Sequence, residues 1–500
     1  MKKFVIGLDI GTTSAKAVLF NGYGEVLSEG EEGYEMTHPK PSWSEQDPQI
    51  IERAAVQAIR KVTQGVNSRE IIGVGMSAAM HSIICIDENH LPISPSITWA
   101  DGRSTTQATS LKNSAQGTNI YLRTGTPIHP MSPLLKLIWM KETSYTPYKR
   151  AKRFISIKEF LLSRWFDEYV IDYSVAASTG MLNIKTKQWD KEALDLAGIE
   201  EDQLSKVVSA TYQLTGLSSS LADEMGLHVD TPFVIGGSDG PLANLGIGAI
   251  NPGEVAITVG TSGAIRQMTK SPKTDQQQEV FCYSFTDDLW VMGGPTNNGG
   301  IVLSWLKELF TTPEIENPFD LLNEWAEKAA PGSNGLLFLP YLNGERAPFW
   351  DAQAKGGFVG LTLSHKKEHL IRAGLEGVIY SLYHVGAALE RLSDPPKKLL
   401  ASGGFARSTL WLQILADIFG QTVEVPESHQ SSAWGAAWLA LYSLGETQSL
   451  DEIKNHIPMK LRMEPDEKRH NSYSELYNVY KSLYPALKEP FSTIHQIQNK

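Results

Sequence analysis

The sequence predicts an α/β protein made of two related domains facing a shared cleft. Three observations carry this: buried strands alternate with helical segments, the chain runs to 500 residues, and one Gly-Thr turn occurs twice. A chain of this length exceeds one ordinary core, and small ligands commonly bind between domains.

The first element is the apolar run from Phe4 to Ile10, which reads as a buried strand, followed by Gly11-Thr12-Thr13-Ser14. A second strand from Ala15 to Phe20 and the turn Asn21-Gly22-Tyr23-Gly24 lead into Glu25 to Ser28, completing a hairpin system. Pro48 to Val62 has the pattern of a helix and Ile71 to Met76 that of an apolar strand, the alternation an α/β architecture requires. The turn then echoes: Leu8-Asp9-Ile10-Gly11-Thr12-Thr13-Ser14-Ala15 returns as Ile257-Thr258-Val259-Gly260-Thr261-Ser262-Gly263-Ala264. Two domains, 1–246 and 247–500, each presenting such a turn, explain the echo, with a boundary near Asn244 to Asn251. Chance similarity between two small-residue turns explains it equally well on spacing alone.

With 41% hydrophobic and 20% charged residues the composition is globular, and a net charge of −11 argues against general affinity for nucleic acid or anionic membranes. Small molecules are the expected partners, and a homodimer is the usual prior for assembly. Cys85 and Cys282 are the only cysteines, each in an apolar or aromatic setting, and read as buried free thiols of a reducing compartment. Asp9 interrupts the N-terminal apolar stretch too early for a signal peptide, and no run is long enough to cross a bilayer, so a cytoplasmic location is expected.

Gly11-Thr12-Thr13-Ser14 after a buried strand suits a phosphate site, because small residues let backbone N–H groups approach anionic oxygens. Asp9 just before it suits a magnesium ion, directly or through water; a tight hairpin with a capped Asp is the plainer alternative. No P-loop motif occurs. Gly73-Val74-Gly75-Met76-Ser77-Ala78 matches a dinucleotide fingerprint only superficially, since Ala79 to Ile86 reads as a continuing strand pair and not as a helix opening. Gly236-Gly237-Ser238-Asp239-Gly240 places one carboxylate on a loop after an apolar strand, the setting for a base that accepts a hydroxyl proton in phosphoryl transfer. An ordinary Asp turn fits those residues as well. Met80-His81, Trp99-Ala100-Asp101-Gly102-Arg103, and His129 with Lys136 supply the donors, acceptors and aromatic wall a polyol needs. A core histidine, a surface ion pair and a Pro-rich loop are their structural alternatives.

Together these segments resemble the FGGY carbohydrate kinases, a family of the actin-like ATPase superfamily, over essentially the whole chain. Gly7-Leu-Asp-Ile-Gly-Thr-Thr13 is similar to the first phosphate motif and Val259 to Gly263 to the second. Met131 to Trp139 resembles one family signature, and Gly356 to Thr362 with the helix His369 to Glu376 the other, departing at Gly374. Leu400 to Ser408 resembles the adenosine motif. The resemblance implies two actin-like, ribonuclease H-like ATPase domains flanking a central catalytic cleft, with ATP and Mg²⁺ as cofactors.

By the same resemblance Asp239 is the catalytic base and Asp9 the magnesium residue. Gly11, Thr12, Thr13, Gly260, Thr261, Ser262, Gly403 and Gly404 hold the nucleotide; Met80, His81, Trp99, Asp101, Arg103, His129, Lys158 and Asp239 face the sugar. Asn343 to Pro348 is also family-like, Arg346 being suited to phosphate or to pairing with Glu345. Thr124 to Pro133 and Phe154 to Phe160 most resemble the gluconate kinases, which implies a sugar acid as acceptor, 6-phospho-D-gluconate as product and a place in carbohydrate catabolism through the pentose phosphate pathway. His129, Lys158, Arg103 and Arg123 are the candidate partners of its carboxylate. The alternatives are xylulose or another ketose or polyol as acceptor, and, in another class, a non-catalytic actin-like clamp or filament protein.

Overall fold

In the computed structural model, which describes residues 3–427 and 430–498, the first hairpin forms as expected. Phe4–Ile10 pairs antiparallel with Ser14–Asn21, which pairs antiparallel with Val26–Gly33. On its other edge Phe4–Ile10 runs parallel to Ile71–Ala78, which runs parallel to Phe233–Ser238, and a short antiparallel strand, Gln213–Leu214, closes the six-stranded sheet. The helix Pro48–Thr63 starts where Asp47 caps the N–H of Gln49 and proline takes the first turn, where no N–H is needed. Its apolar face, Ile51, Ala55, Ile59 and Val62, packs with Ile6, Leu8 and Ile10 in one core. Each Ile, Leu or Val side chain here contributes about 1.5–3 kcal/mol on full burial.

The chain groups into two compact units. The first comprises Met1–Ile250, Thr269–Val291 and Ser428–Ile457; the second comprises Asn251–Met268, Met292–Glu427 and Pro458–Lys500. The second unit opens at Asn251, and two later segments return to the first. One of them carries the helix Ser431–Ser443, which lies on the first sheet. Gly7 and Gly75 make that approach possible: a Cβ on either would collide with the carbonyl of Ala433 or Ala436. A second core of the first unit gathers Ile83, Leu134, Leu135, Leu137, Met140 and Phe154.

In the second unit the sheet runs in the order Trp290–Thr296, Gly263–Thr269, Glu254–Val259, Lys398–Ser402, Val423–Pro426, Met459–Met463. Glu254–Val259 is antiparallel to Gly263–Thr269 and parallel to Lys398–Ser402, which is parallel to Val423–Pro426; the last strand is antiparallel. These six of the sheet's seven strands follow the order of the first sheet. The echo extends into the register, where Asp9 stands beside Ser77 and Thr258 beside Ser402. A chance likeness of two turns does not reproduce two sheets, so the echo marks a structural duplication.

The helix after the second family signature is longer than the sequence suggested, Lys367–Leu392. Its Gly374, the departure from the family pattern, is where the helix Gly300–Phe310 comes close: a Cβ there would stand 2.5 Å from Leu306 Cδ1. Cys85 and Cys282 are buried free thiols, and burial pushes each up to about 12. Among the described residues no helix is long and apolar enough to cross a membrane.

Candidate active site

The first Gly-Thr turn has its carbonyls tied back and its amides left open. Tyr34 Oη donates to Gly11 O at 2.7 Å, Gln46 Nε2 to Thr12 O at 2.7 Å, and Tyr34 N–H to Thr13 O at 3.0 Å. The N–H groups of Thr12 and Thr13 make no hydrogen bond among the described residues, and Thr13 is exposed. Donors without acceptors at a solvent-facing turn are the chemistry a phosphate oxygen satisfies.

Three adjacent parallel strands end side by side beneath that turn. Asp9 is the register partner of Ser77, and Ser77 that of Gly237, two residues before Asp239. Ligands of open α/β sheets bind beyond the carboxyl ends of the strands, and both carboxylates stand at those ends. Ser77 Oγ donates to Asp9 Oδ1 at 2.6 Å. Burial, and then the neighbouring Asp239 carboxylate, nonetheless push Asp9 up to about 6. A carboxylate strained by a second one is a place a divalent cation relieves, and Mg²⁺ needs only one or two carboxylates when phosphates and water complete its shell. The residues present therefore fit that ion. A closed cage of three or more His, Cys, Asp or Glu side chains does not occur among the described residues.

Asp239 differs from its expected placement on a loop: it is the first residue of the helix Asp239–Gly246. Ser238 occupies the N-cap position and Pro241 falls in the first turn, where a missing N–H costs nothing. Asp239 Oδ1 accepts the N–H of Gly240 at 2.7 Å, and a negative side chain there suits the positive end of the helix.

The sugar-site candidates lie on the same unit in different states of engagement. Trp99 Nε1 donates to Thr12 Oγ1 at 3.1 Å, and Met80 is half-buried near the strand end. His81 holds a left-handed backbone at φ 69°, with Nδ1 2.8 Å from Ser178 O. A carbonyl can only accept, so Nδ1 carries the proton and Nε2 is the acceptor in the neutral ring. His129 is set the other way, since Met131 N–H donates to its Nδ1 at 3.2 Å, leaving Nε2 as the neutral ring's donor.

Asp101 and Arg103 are mutually committed. Asp101 takes four hydrogen bonds, from Ser44 N–H, Arg103 N–H, Arg103 Nε and Arg103 Nη2. Arg103 Nη2 also reaches Glu45 at 2.6 Å, and its guanidinium carbon lies 3.7 Å from the centre of the Trp43 ring. The pair is therefore a buried brace. Lys158 is likewise engaged, with Asp172 at 2.8 Å, and Arg123 with Asp190 and Glu192. Each of these three cations is thus ion-paired within the protein, although Arg103 Nη1 is buried with no hydrogen-bond partner among the described residues. Lys136 is wholly buried, its Nζ donating to His81 O and Met131 O at 2.7 Å each, and burial brings it down to about 7.

The second unit repeats the turn's arrangement. Gly300 N–H donates to Gly260 O, and Gly299 and Ile301 N–H to Thr261 O, while the N–H groups of Thr261 and Ser262 make no hydrogen bond among the described residues. Beside the turn is a cavity of about 700 Å³ lined by Gly260, Thr261, Phe319, Asn323, Gly404, Phe405 and Arg407 among others. That volume suits a small-molecule ligand. Gly403 borders it with φ 96°, and a Cβ there would meet Val259 O at 2.5 Å, so glycine is required by both backbone and space. Arg346, by contrast, makes a brace: Nη2 donates to Thr296 O while Glu345 accepts its N–H.

Residues 4–246 match the N-terminal domain of the FGGY family of carbohydrate kinases and residues 255–444 its C-terminal domain. The chain belongs to the FGGY family of carbohydrate kinases. It is therefore a sugar kinase, and its two sheets are the actin-like, ribonuclease H-like domains of that family. Over 506 residues this FGGY kinase is 46% identical to the gluconokinase of Bacillus subtilis (strain 168), spanning 100% of this chain and 99% of that one. A solved gluconate kinase from Lactobacillus acidophilus superimposes with a TM-score of 0.95 at 36% identity, over 99% of this chain and 100% of the other. A ligand-bound xylulose kinase structure from the same organism matches with a TM-score of 0.95 at 36% identity, over 98% and 100%.

Several contributors were not legible in the sequence. Ser77 lay in a segment read only as strand, and nothing in its spacing ties it to Asp9, 68 residues away. Tyr34, in an irregular stretch, and Gln46, in the two-residue strand Glu45–Gln46, hold the turn's carbonyls and carry no motif. Phe319 and Asn323 reach the second unit's cavity from the helix Pro318–Glu327, whose sequence carries only amphipathic signal.

Proposed function

We propose that this FGGY kinase transfers the γ-phosphoryl group of ATP to D-gluconate, giving 6-phospho-D-gluconate for carbohydrate catabolism through the pentose phosphate pathway. The acceptor rests on one observation, the 46% full-length identity to a gluconokinase. Asp239 accepts the proton of the terminal hydroxyl as that oxygen attacks phosphorus. The open amides of Thr12 and Thr13, and of Thr261 and Ser262, receive phosphoryl oxygens, and Gly403 and Gly404 let the adenosine lie against backbone in the second unit's cavity. Asp9 holds Mg²⁺ directly or through water, and the ion, when bound, neutralises charge on the phosphates.

Residues 1–246 then supply the sugar site and the base, and 247–500 the second phosphate turn and the adenosine site. His81 and His129 face the sugar, while Met80 and Trp99 supply apolar and aromatic wall. Asp101, Arg103 and Lys158 act by shaping this site. A cytoplasmic enzyme is the setting that fits a small charged acceptor and ATP, and a homodimer is the usual prior for its assembly.

The xylulose reading is favoured by one specific observation, the equal match to a ligand-bound xylulose kinase. ADP release measured with gluconate, xylulose, ribulose, glycerol and fuculose separates the two. Gluconate should give the highest kcat/KM by at least tenfold; xylulose exceeding gluconate overturns the proposed acceptor.

A further inference from the structure

The strand that delivers Asp239 loses its backbone partners on one edge just before the end, while on the other Gly237 and Ser238 stay paired with Ser77 and Ala78. Phe233 and Val234 pair with Leu214 and Gln213, and the N–H groups of Ile235 and Gly236 reach Tyr212 O and Ala210 O. The register against Ile71–Ala78 then shifts between Val234 and Gly237, with Gly236 at φ 66°. From there side chains take over one peptide group. Lys158 Nζ donates to Gly237 O at 2.9 Å, and Ser238 N–H donates to Ser174 Oγ at 2.7 Å. These two atoms are the carbonyl and the amide of the same peptide.

Both side chains converge on Asp172. Lys158 Nζ lies 2.8 Å from its Oδ2, and Ser174 Oγ donates to its Oδ1 at 2.6 Å. Asp172 Oδ1 also accepts the N–H groups of Ser174 and Val175, fixing the start of the helix Tyr173–Ser178. The ring of interactions is closed and dry: Lys158 is 1% exposed, and Asp172, Ser174 and Ser238 are 0%. A buried ion pair is often replaceable by apolar residues without loss of stability, so bulk stability does not explain it here. Its geometry does.

We infer that Lys158, Asp172 and Ser174 are positioning residues that clamp the Gly237–Ser238 peptide and thereby aim the Asp239 carboxylate. This rests on the reading of Asp239 as the base. A misplacement of about 1 Å in a reacting group can cost a hundredfold in rate, and the clamp acts on the peptide directly preceding that group. Gly237 adjoins it, since a Cβ there would press on Phe285 Cε2 at 3.0 Å and on Ser174 Oγ at 3.2 Å.

The test is Ser174→Ala, which deletes the acceptor for Ser238 N–H and leaves the Lys158–Asp172 pair. Turnover of gluconate should fall roughly ten- to a hundredfold with KM for ATP unchanged within about twofold. Ser174→Thr, which keeps the hydroxyl, should restore most of it. In an Asp239→Asn background Ser174→Ala should cause no further loss, because the clamp acts only through that carboxylate. If the alanine variant does not fold, Ser174→Cys, of similar shape but a weak acceptor, gives the same comparison. Full kcat in Ser174→Ala beside an inactive Asp239→Asn overturns the clamp alone, as does an equal loss in both backgrounds. Near-normal turnover in Asp239→Asn by itself overturns the base assignment, and the clamp with it.

Discussion

The indole N–H of Trp99 donates to Oγ1 of Thr12 at 3.1 Å, joining the aromatic segment expected at the sugar to the turn expected at phosphate. The two lie 87 residues apart. Trp99→Phe keeps an aromatic ring and removes the bond, worth about 1 kcal/mol for a typical hydrogen bond. KM for gluconate should rise about fivefold, and Thr12→Val should add nothing once the indole N–H is gone. A double-mutant cycle with purely additive effects would show the contact to be incidental.

Asp239→Asn keeps the shape of the helix start while removing the proton acceptor. Turnover should fall by about 10²- to 10⁴-fold, the usual contribution of a general base. ATP affinity, followed by calorimetry, should stay within a few fold of wild type, since the cavity proposed for adenosine belongs to the other unit. Near-normal turnover in this variant contradicts the role.

What could be read from the sequence was local or repeated. The strand Phe4–Ile10 and the helix from Pro48 were legible because apolar periodicity and a proline start are written in neighbouring residues. The duplication was legible because the two turns kept similar residues. Asp239 was found as a candidate, yet its place at a helix start was hidden by glycines that suit a loop equally well. Arg103 and Lys158 show the other limit. A cation in a sugar-site segment is open for a ligand or spent on a carboxylate according to which distant residue folds beside it. Glu45 and Asp172 pair with these two cations through tertiary contacts that no spacing encodes.

Lys136 gives a pH-dependent prediction. Its amine titrates at about 7 in the fold, lowered by burial, against an ordinary lysine value of 10.5. Between those values the unfolded chain binds more protons, so this group makes unfolding free energy rise with pH, by up to about 1.4 kcal/mol per unit. Lys136→Met removes that contribution. The stability difference between wild type and variant in urea should therefore grow in favour of wild type from pH 7 to pH 9. Because Lys136 also holds His81 O, KM for gluconate should rise in the variant while KM for ATP does not. A pH-independent stability difference would mean the amine is not titrating in this range.

Gly403 and Gly404 separate what the fold needs from what the nucleotide needs. Gly403 has φ 96°, and a Cβ there would stand 2.5 Å from Val259 O, so Gly403→Ala strains backbone and sheet whether or not ATP is present. Melting temperature should fall, by several degrees for a strain of about 1–3 kcal/mol in a large domain. Gly404 has no neighbour within 4 Å of a Cβ position and no left-handed φ, so Gly404→Ala should fold as stably as wild type. If adenosine lies against that backbone, the added methyl occupies ligand space and KM for ATP rises at least tenfold with KM for gluconate unchanged. Unchanged ATP affinity in Gly404→Ala would place the nucleotide away from this turn, while a loss of stability there would show that the space is not open in the folded protein.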